Sequence, residues 1–129
     1  MRQFEASRDV AAPYGLACSL WTPTLMTRFD KHREVEVNLF VAGSIQYWIG
    51  GRTYEIAAGE AAIFWADVPH QVIEFSPDCS YYVLTIPIGD FMHWQLPESF
   101  VKSILHGEPL LYRISQTLES DTERFLNWI

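Results

Sequence analysis

The chain has 129 residues, a length that fits one domain with a hydrophobic core of its own. Apolar residues make up 49% and charged residues 19%, a composition that excludes intrinsic disorder. Nine Lys and Arg against sixteen Asp and Glu give a formal net charge of −7, which repels nucleic-acid phosphates. We therefore do not expect this chain to bind DNA by itself.

The predicted localisation is cytoplasmic, and no contact with a membrane is expected. The N-terminus reads MRQFEASRD, with charges throughout and without the apolar stretch of a signal peptide. No apolar run approaches the length of a membrane span.

Strands dominate the prediction from residue 35 to residue 88, after a weakly periodic stretch over residues 1–20. Short runs rich in β-branched and aromatic residues alternate there with turn residues, which is typical of an all-β sandwich or barrel. Gly50 and Gly51 predict a two-residue hairpin, because both tolerate positive φ. The predicted strands cover residues 34–41, 45–49, 53–56, 61–65, 71–75 and 81–88.

Helices are predicted after the last strand. Residues 98–105 place apolar side chains on one helix face, and Gly107 and Pro109 supply the end signals. A last helix starts near Ser120, which forms a capping box with Glu123. We therefore divide the chain into a barrel, residues 1–89, and a helical dimerisation segment, residues 90–129. The apolar face of the first helix consists of Phe100, Val101, Ile104 and Leu105.

The last helix stops at Ile129 in mid-pattern, without a glycine cap or a polar end. This indicates a fragment of a longer chain, the alternative being a natural C-terminal helix that packs on a partner. An apolar stripe on a terminal helix must be covered, either by a second copy of the chain or by intramolecular packing. The candidate dimer-interface residues are Leu118, Phe125, Leu126 and Ile129.

Polar side chains line one face of the first long predicted strand. Residues of equal parity share a face of a strand, so His32, Glu36 and Asn38 face one way, with Glu34 among them, and the valines and leucine between them face the other. Polar groups at this density do not fit a dry core unless they are partnered. This face therefore either meets solvent or lines a polar cavity.

The spacing of the polar residues resembles that of the cupin family. His32-x3-Glu36-x6-Gly43 matches the second half of the first cupin motif, and Gly59-x10-His70 matches the glycine and histidine of the second. The resemblance implies a double-stranded β-helix, a jelly-roll-like barrel, in which these side chains converge, often on a metal ion. Asp30 stands where the leading histidine is expected. The candidate metal ligands are Asp30, His32, Glu36 and His70.

Two interpretations of this polar set remain open. Two imidazoles with carboxylates suit a divalent metal such as Fe(II), Mn(II), Zn(II) or Ni(II), which would make the chain a small metal-dependent cupin enzyme of the dioxygenase or isomerase type. The same groups also suit a metal-free polar pocket for a sugar or an acid. We favour the metal-free pocket, with no required cofactor and no catalytic residue.

A further resemblance covers nearly the whole chain. The segment FWADVPHQ, residues 64–71, and IPIGDFMHWQL, residues 86–96, are similar to the N-terminal sensor domain of AraC-type transcription regulators. This resemblance implies a sugar-type effector pocket in the barrel, a helical dimerisation element after it, and a DNA-binding domain with two helix-turn-helix motifs further on. A binding module without a regulatory role is a third possibility.

Such a pocket combines a few placed polar groups with an aromatic platform against the C–H face of the ligand. The resemblance also implies a homodimer, which binds a mono- or disaccharide as its effector and contacts DNA only through a further domain. The polar candidates are His32, Glu36, Asn38 and His70, and the platform candidates are Trp48, Phe64, Trp65 and Tyr82.

Overall fold

A computed structural model describes residues 1–113 as two facing antiparallel sheets with two short helices packed outside. The elements are β1 (Ala17–Trp21), β2 (Glu34–Ala42), β3 (Ser44–Ile49), β4 (Arg52–Ala57), β5 (Glu60–Trp65), β6 (His70–Phe75), β7 (Ser80–Pro87), α1 (Ile88–His93), α2 (Glu98–Leu105) and β8 (Leu110–Arg113).

The strands are divided between the two sheets as in a cupin-type barrel. One sheet has the order β1-β7-β2-β5-β8 and the other has the order β4-β3-β6. Side chains from both sheets meet in one core, which contains Phe40 and Tyr81 from the larger sheet and Tyr47 and Val72 from the smaller one. The predicted fold class, a mainly β cupin-like barrel followed by helices, is confirmed.

β2 is buried along most of its length because both of its faces are covered. Val35 and Val37 pack outside the barrel against Phe91 of α1 and Ile104 of α2. The residues between them, Glu36 among them, face the space between the two sheets. The polar face predicted from the sequence therefore points into the barrel.

Glycines with positive φ shape two of the turns. Gly50 and Gly51 have φ values of 56° and 88° and close the hairpin of β3 and β4, as predicted. Gly43, with φ of 68°, joins β2 to β3 where the chain passes close to the turn before β7. A Cβ added at Gly43 would lie 2.7 Å from Cα of Cys79, so the position has no room for a side chain.

α2 coincides with the helix predicted over residues 98–105. Ile104 is buried, and Phe100 and Val101 pack partly against the outer face of the larger sheet. The helix ends at Leu105, and Gly107 follows it with φ of 91°.

β1 and β8 are strands that the pattern of residues did not predict. β1 pairs with β7, and β8 pairs with β5, Leu110 lying opposite Ile63. All four residues of β8 are exposed, and their sequence, LLYR, has no alternation of polar and apolar side chains that would predict a strand. Residues assigned to the helical segment thus include a strand, while the division of the chain at residue 89 stays a prediction.

Several predictions fall outside the described residues. They are the helix beginning near Ser120 and the dimer-interface residues Leu118, Phe125, Leu126 and Ile129. Within residues 1–113, none of the helices has the length and apolar character needed to cross a lipid bilayer.

Candidate functional site

A cavity lies between the two sheets, at the end of the barrel that residues 4–26 cover. Water-molecule centres can occupy about 40 Å³ of it, within about 480 Å³ of empty space that includes its open mouth. Its polar lining includes Asp30, Glu36, His70 and Thr85. Its aromatic lining consists of Phe4, Tyr14, Trp21, Tyr47 and Tyr81.

His32 lies directly behind this lining, between two carboxylates. Its Nδ1 is 2.8 Å from Oε1 of Glu34 and its Nε2 is 3.4 Å from Oε1 of Glu36, although neither contact has the alignment of a full hydrogen bond. Burial opposes the charge on the ring, but the two carboxylates outweigh it and raise the pKa of His32 to about 9. His32 is therefore an imidazolium at neutral pH.

Glu36 carries its negative charge into the cavity. Burial would raise the pKa of its carboxyl group, but the contact with charged His32 and a hydrogen bond from Asn38 lower it below the usual value. Nδ2 of Asn38 donates that hydrogen bond to Oε2 of Glu36 over 3.0 Å, and Oδ1 of Asn38 has no hydrogen-bond partner among residues 1–113. The inner face of β2 thus presents the ionised carboxylate of Glu36 as a hydrogen-bond acceptor, and His32 and Asn38 fix its position.

His70 begins β6 and is fastened to the segment that holds Asp30. The two residues exchange backbone hydrogen bonds of 2.8 and 3.0 Å. Nδ1 of His70 lies 2.9 Å from the carbonyl oxygen of Val68 and donates to it, which leaves Nε2 as an acceptor. Burial lowers the pKa of His70, so its ring is neutral where that of His32 is charged.

Asp30 connects the cavity to the N-terminal segment. Oδ1 of Asp30 lies 3.6 Å from Nη1 of Arg28, and the hydroxyl of Tyr14 donates a long hydrogen bond of 3.5 Å to Oδ2. The guanidinium of Arg28 also lies 5.0 Å from the ring centre of Phe4 and donates to the carbonyl oxygen of Arg8. Arg28 therefore contacts both the carboxylate of Asp30 at the cavity and the N-terminal segment that covers the cavity mouth.

The family model described as the AraC-like ligand binding domain matches residues 14–120, which is most of the chain. This chain belongs to that family. The family resemblance seen in the sequence is thereby confirmed.

Two curated relatives within this family are the melibiose operon regulatory proteins of Escherichia coli K12 and of Escherichia coli O6:H1. Each is 29% identical over 85 residues, which are 66% of this chain and 28% of the relative. The match therefore spans little more than a quarter of the length of these relatives. Both are regulatory proteins by name.

A solved structure agrees on the fold. Apo ToxT K231A from Vibrio cholerae aligns with a TM-score of 0.53 and 12% identity, over 87% of this chain and 46% of that one. An oxalate decarboxylase from Bacillus subtilis aligns with a TM-score of 0.42 and 14% identity, over 81% and 35%. At these identities the likeness concerns the fold alone.

Six of the predicted site residues of this AraC-type domain lie inside the barrel. Asp30, Glu36 and His70 line the cavity itself. His32 and Asn38 are buried behind Glu36 and hold it. The sixth, Phe64, is fully buried and packs its ring 5.1 Å from that of His70, measured between ring centres.

The structure places Trp48, Trp65 and Tyr82 on the opposite faces of their strands, so their prediction as cavity lining is wrong. Trp65 packs under the helices, in the core outside the barrel. Trp48 and Tyr82 are each flanked by buried residues of the other parity. The reason is the alternation of a strand, which sends neighbouring residues to opposite sides. The inward neighbours are Tyr47, Phe64 and Tyr81.

Sequence reasoning missed five aromatic lining residues. Tyr47 could have been found, since it alternates with Ile45 and Ile49, whose parity marks the buried face of β3. Tyr81 could have been found in the same way from Val83. The other three, Phe4, Tyr14 and Trp21, come from the segment before Asp30, where no strand pattern signals their place.

Three of the predicted metal ligands lie close together, and a metal bound to them stays a prediction. Ligand atoms of Asp30, His32 and His70 lie within 4.8 Å of one another among the described residues. A metal needs a free ring nitrogen, however, and both ring nitrogens of His32 face carboxylates in its charged form. Asp30 already faces Arg28. A metal would have to displace the proton of His32.

Proposed function

We propose that this chain is the effector-sensing and dimerisation part of an AraC-type transcription regulator, and that its effector is a mono- or disaccharide bound in the barrel cavity. The observation that supports a sugar is the lining of the cavity, where hydrogen-bond acceptors face a set of aromatic rings. The matched relatives are regulatory proteins, and we propose no catalytic activity.

The polar lining suits the hydroxyl groups of a sugar. The carboxylates of Asp30 and Glu36 and Nε2 of His70 all accept hydrogen bonds, and bonds to charged acceptors are the stronger kind. The rings of Trp21 and Tyr81 offer apolar surface to the C–H face of the sugar. Few polar groups and several rings are the usual composition of a small-molecule site.

The size of the cavity supports a change of shape on binding. About 40 Å³ for water centres holds roughly three water molecules, less than a monosaccharide needs. The residues over the mouth, Phe4, Tyr14 and Trp21, would therefore move to admit the effector. An effector shifts the equilibrium toward the arrangement that it binds more tightly. Here the two arrangements would differ in the segment over the mouth of the cavity.

The regulatory part of the proposal concerns a longer protein. The relatives extend well beyond the matched region, and we propose that a DNA-binding half with two helix-turn-helix motifs follows this chain in the cytoplasmic protein. We also propose a homodimer through the apolar stripe that contains Leu118 and Phe125. The gene sequence after the codon for Ile129 tests the first point, and analytical ultracentrifugation of Phe125→Ser beside the unchanged chain tests the second.

Titration calorimetry with a panel of mono- and disaccharides tests the sugar, and tryptophan fluorescence locates it. Trp21 lines the cavity and Trp48 lies on the outer face of β3, so Trp21→Phe and Trp48→Phe form a matched pair. We expect the effector-induced change of emission to disappear in Trp21→Phe and to persist in Trp48→Phe. An unaltered response in Trp21→Phe would place the site elsewhere, and heats of zero for every sugar would refute the sugar.

A further inference from the structure

We propose that the cavity selects its effector by charge: it takes neutral and ammonium-bearing polyols and rejects the carboxylic acid of the same carbon skeleton. This inference rests on the proposed sugar-sensing function and adds a rule of selection to it.

The ionised groups of the lining are acidic. Asp30 and Glu36 are 7% and 5% exposed, so bulk solvent screens their charges only weakly. Among the described residues that line the cavity, none is Lys or Arg. A carboxylate that enters therefore loses its hydration and meets two like charges, without a cation to receive it.

The nearby cations are already engaged. The imidazolium of His32 lies between Glu34 and Glu36, and Arg28 lies against Asp30. Three carboxylates thus surround these two cations, so neither cation is available to pair with an acid that enters the cavity.

Two further arginines approach the site only from the side of the aromatic wall. The guanidinium of Arg8 lies 3.8 Å from the ring centre of Tyr14, and that of Arg2 lies 5.0 Å from it. Neither residue belongs to the lining. These contacts also show that the rings of this wall accept cations on their faces.

The carboxylate of Glu36 and the imidazole of His70 have the same bias in hydrogen bonding. Each oxygen of Glu36 has one partner and keeps a lone pair for another donor. Nε2 of His70 is an acceptor, because Nδ1 carries the proton given to Val68. Hydroxyl and ammonium groups donate to such acceptors, whereas a carboxylate cannot.

Matched sugar derivatives measure the effect of charge alone. Glucuronate and glucuronamide differ by one charge at one position, as do glucosamine and N-acetylglucosamine, and the galactose series provides a second set. Competition calorimetry at low salt, where screening is weakest, gives the ratio of affinities within each pair. We expect each acid to bind at least about tenfold more weakly than its amide, and each amine at least as tightly as its N-acetyl form.

Two variants test whether Glu36 sets this ratio. Glu36→Gln keeps the shape and removes the charge, so the ratio of amide to acid should shrink toward one. Glu55→Gln removes a charge from the exposed side of β4 and is the matched control, in which the ratio should not change. Asp30→Asn replaces Glu36→Gln if the latter does not fold, which the thermal transition shows.

The possible results separate the two proposals. Acids that bind as tightly as their amides would overturn the charge selection and leave sugar sensing intact. A ratio that survives in the folded cavity variant would overturn the assignment to these carboxylates. A panel without any binding member would refute the sugar proposal, and the charge rule would fall with it.

Discussion

Raising the pH from 6.5 to 9 should destabilise this protein, because His32 holds its proton more tightly when the chain is folded. The ring is buried between Glu34 and Glu36, and its pKa rises from the ordinary 6.5 to about 9. The folded state therefore binds more protons than the unfolded state in this range, and stability falls as the pH rises.

The magnitude follows from the size of the shift. A difference of about 2.5 pKa units is worth about 3.4 kcal/mol at 1.36 kcal/mol per unit. This stabilisation is complete below the unfolded pKa and is lost as the pH rises through the folded one, so about 2–3 kcal/mol disappears between pH 6.5 and 9. The lowered pKa of Glu36 reports the same contact and is not added.

Other buried groups confine the effect to this window. The lowered pKa of His70 costs stability only as the pH falls below 6.5, where the unfolded chain takes up the proton. Burial raises the pKa of Cys79 to about 11, so the unfolded chain begins to gain from thiolate formation only near pH 9. Between these limits His32 dominates the slope.

Urea unfolding at several pH values measures the slope, and the melting temperature should fall by roughly 10 °C over the same range. Replacement of the exposed His93 by Gln is the control and should leave the slope unchanged. His32→Gln should flatten it. If that variant does not fold, an NMR titration of the unaltered protein shows the ring directly. A His32 that titrates near 6.5, or a stability that changes by less than about 1 kcal/mol, would refute the reasoning.

Three further outcomes follow from the packing and the charges. Gly43→Ala should lower the free energy of unfolding in urea by more than about 2 kcal/mol, because its Cβ meets the backbone at Cys79. Gly51→Ala has open space around its Cβ and should lower it by only about 1 kcal/mol. Equal losses in the two variants would contradict this. Phe64→Ala should cost about 3–5 kcal/mol, because Phe64 is fully buried, and a loss under about 1 kcal/mol would contradict its place in the core. Added Zn(II), Mn(II) or Ni(II) should not raise the melting temperature and a chelator should not lower it, because the proton of His32 occupies the site; a metal-dependent rise would contradict this.

The strands that could be predicted were those whose residues carry a pattern of their own. β2 to β7 combine β-branched and aromatic residues with turn signals, and the hairpin at Gly50 and Gly51 has a local cause in positive φ. β8 has no such pattern, and its four residues are all exposed. They form a strand because they pair along the edge of β5. A partner distant in the sequence leaves no local signal.

The candidate site divides along the same line. Parity along β2 was enough to place Glu36 and Asn38 on one face, and motif spacing was enough to bring His32 and His70 to them. The choice of aromatic residues failed at Trp48, Trp65 and Tyr82, since the identity of a ring does not tell which face of a strand it occupies.

The sequence by itself determined the class of fold, the parity of the polar strand and the membership of a sensor family, because each depends on local alternation or on fixed spacing. Only the tertiary structure decided the state of His32, which depends on two carboxylates held at 2.8 and 3.4 Å from its ring nitrogens. It also decided the acidic character of the cavity and the arrival of Phe4, Tyr14 and Trp21 at its mouth. Charge, burial and distance arise between segments far apart in the chain, and they exist only once the chain has folded.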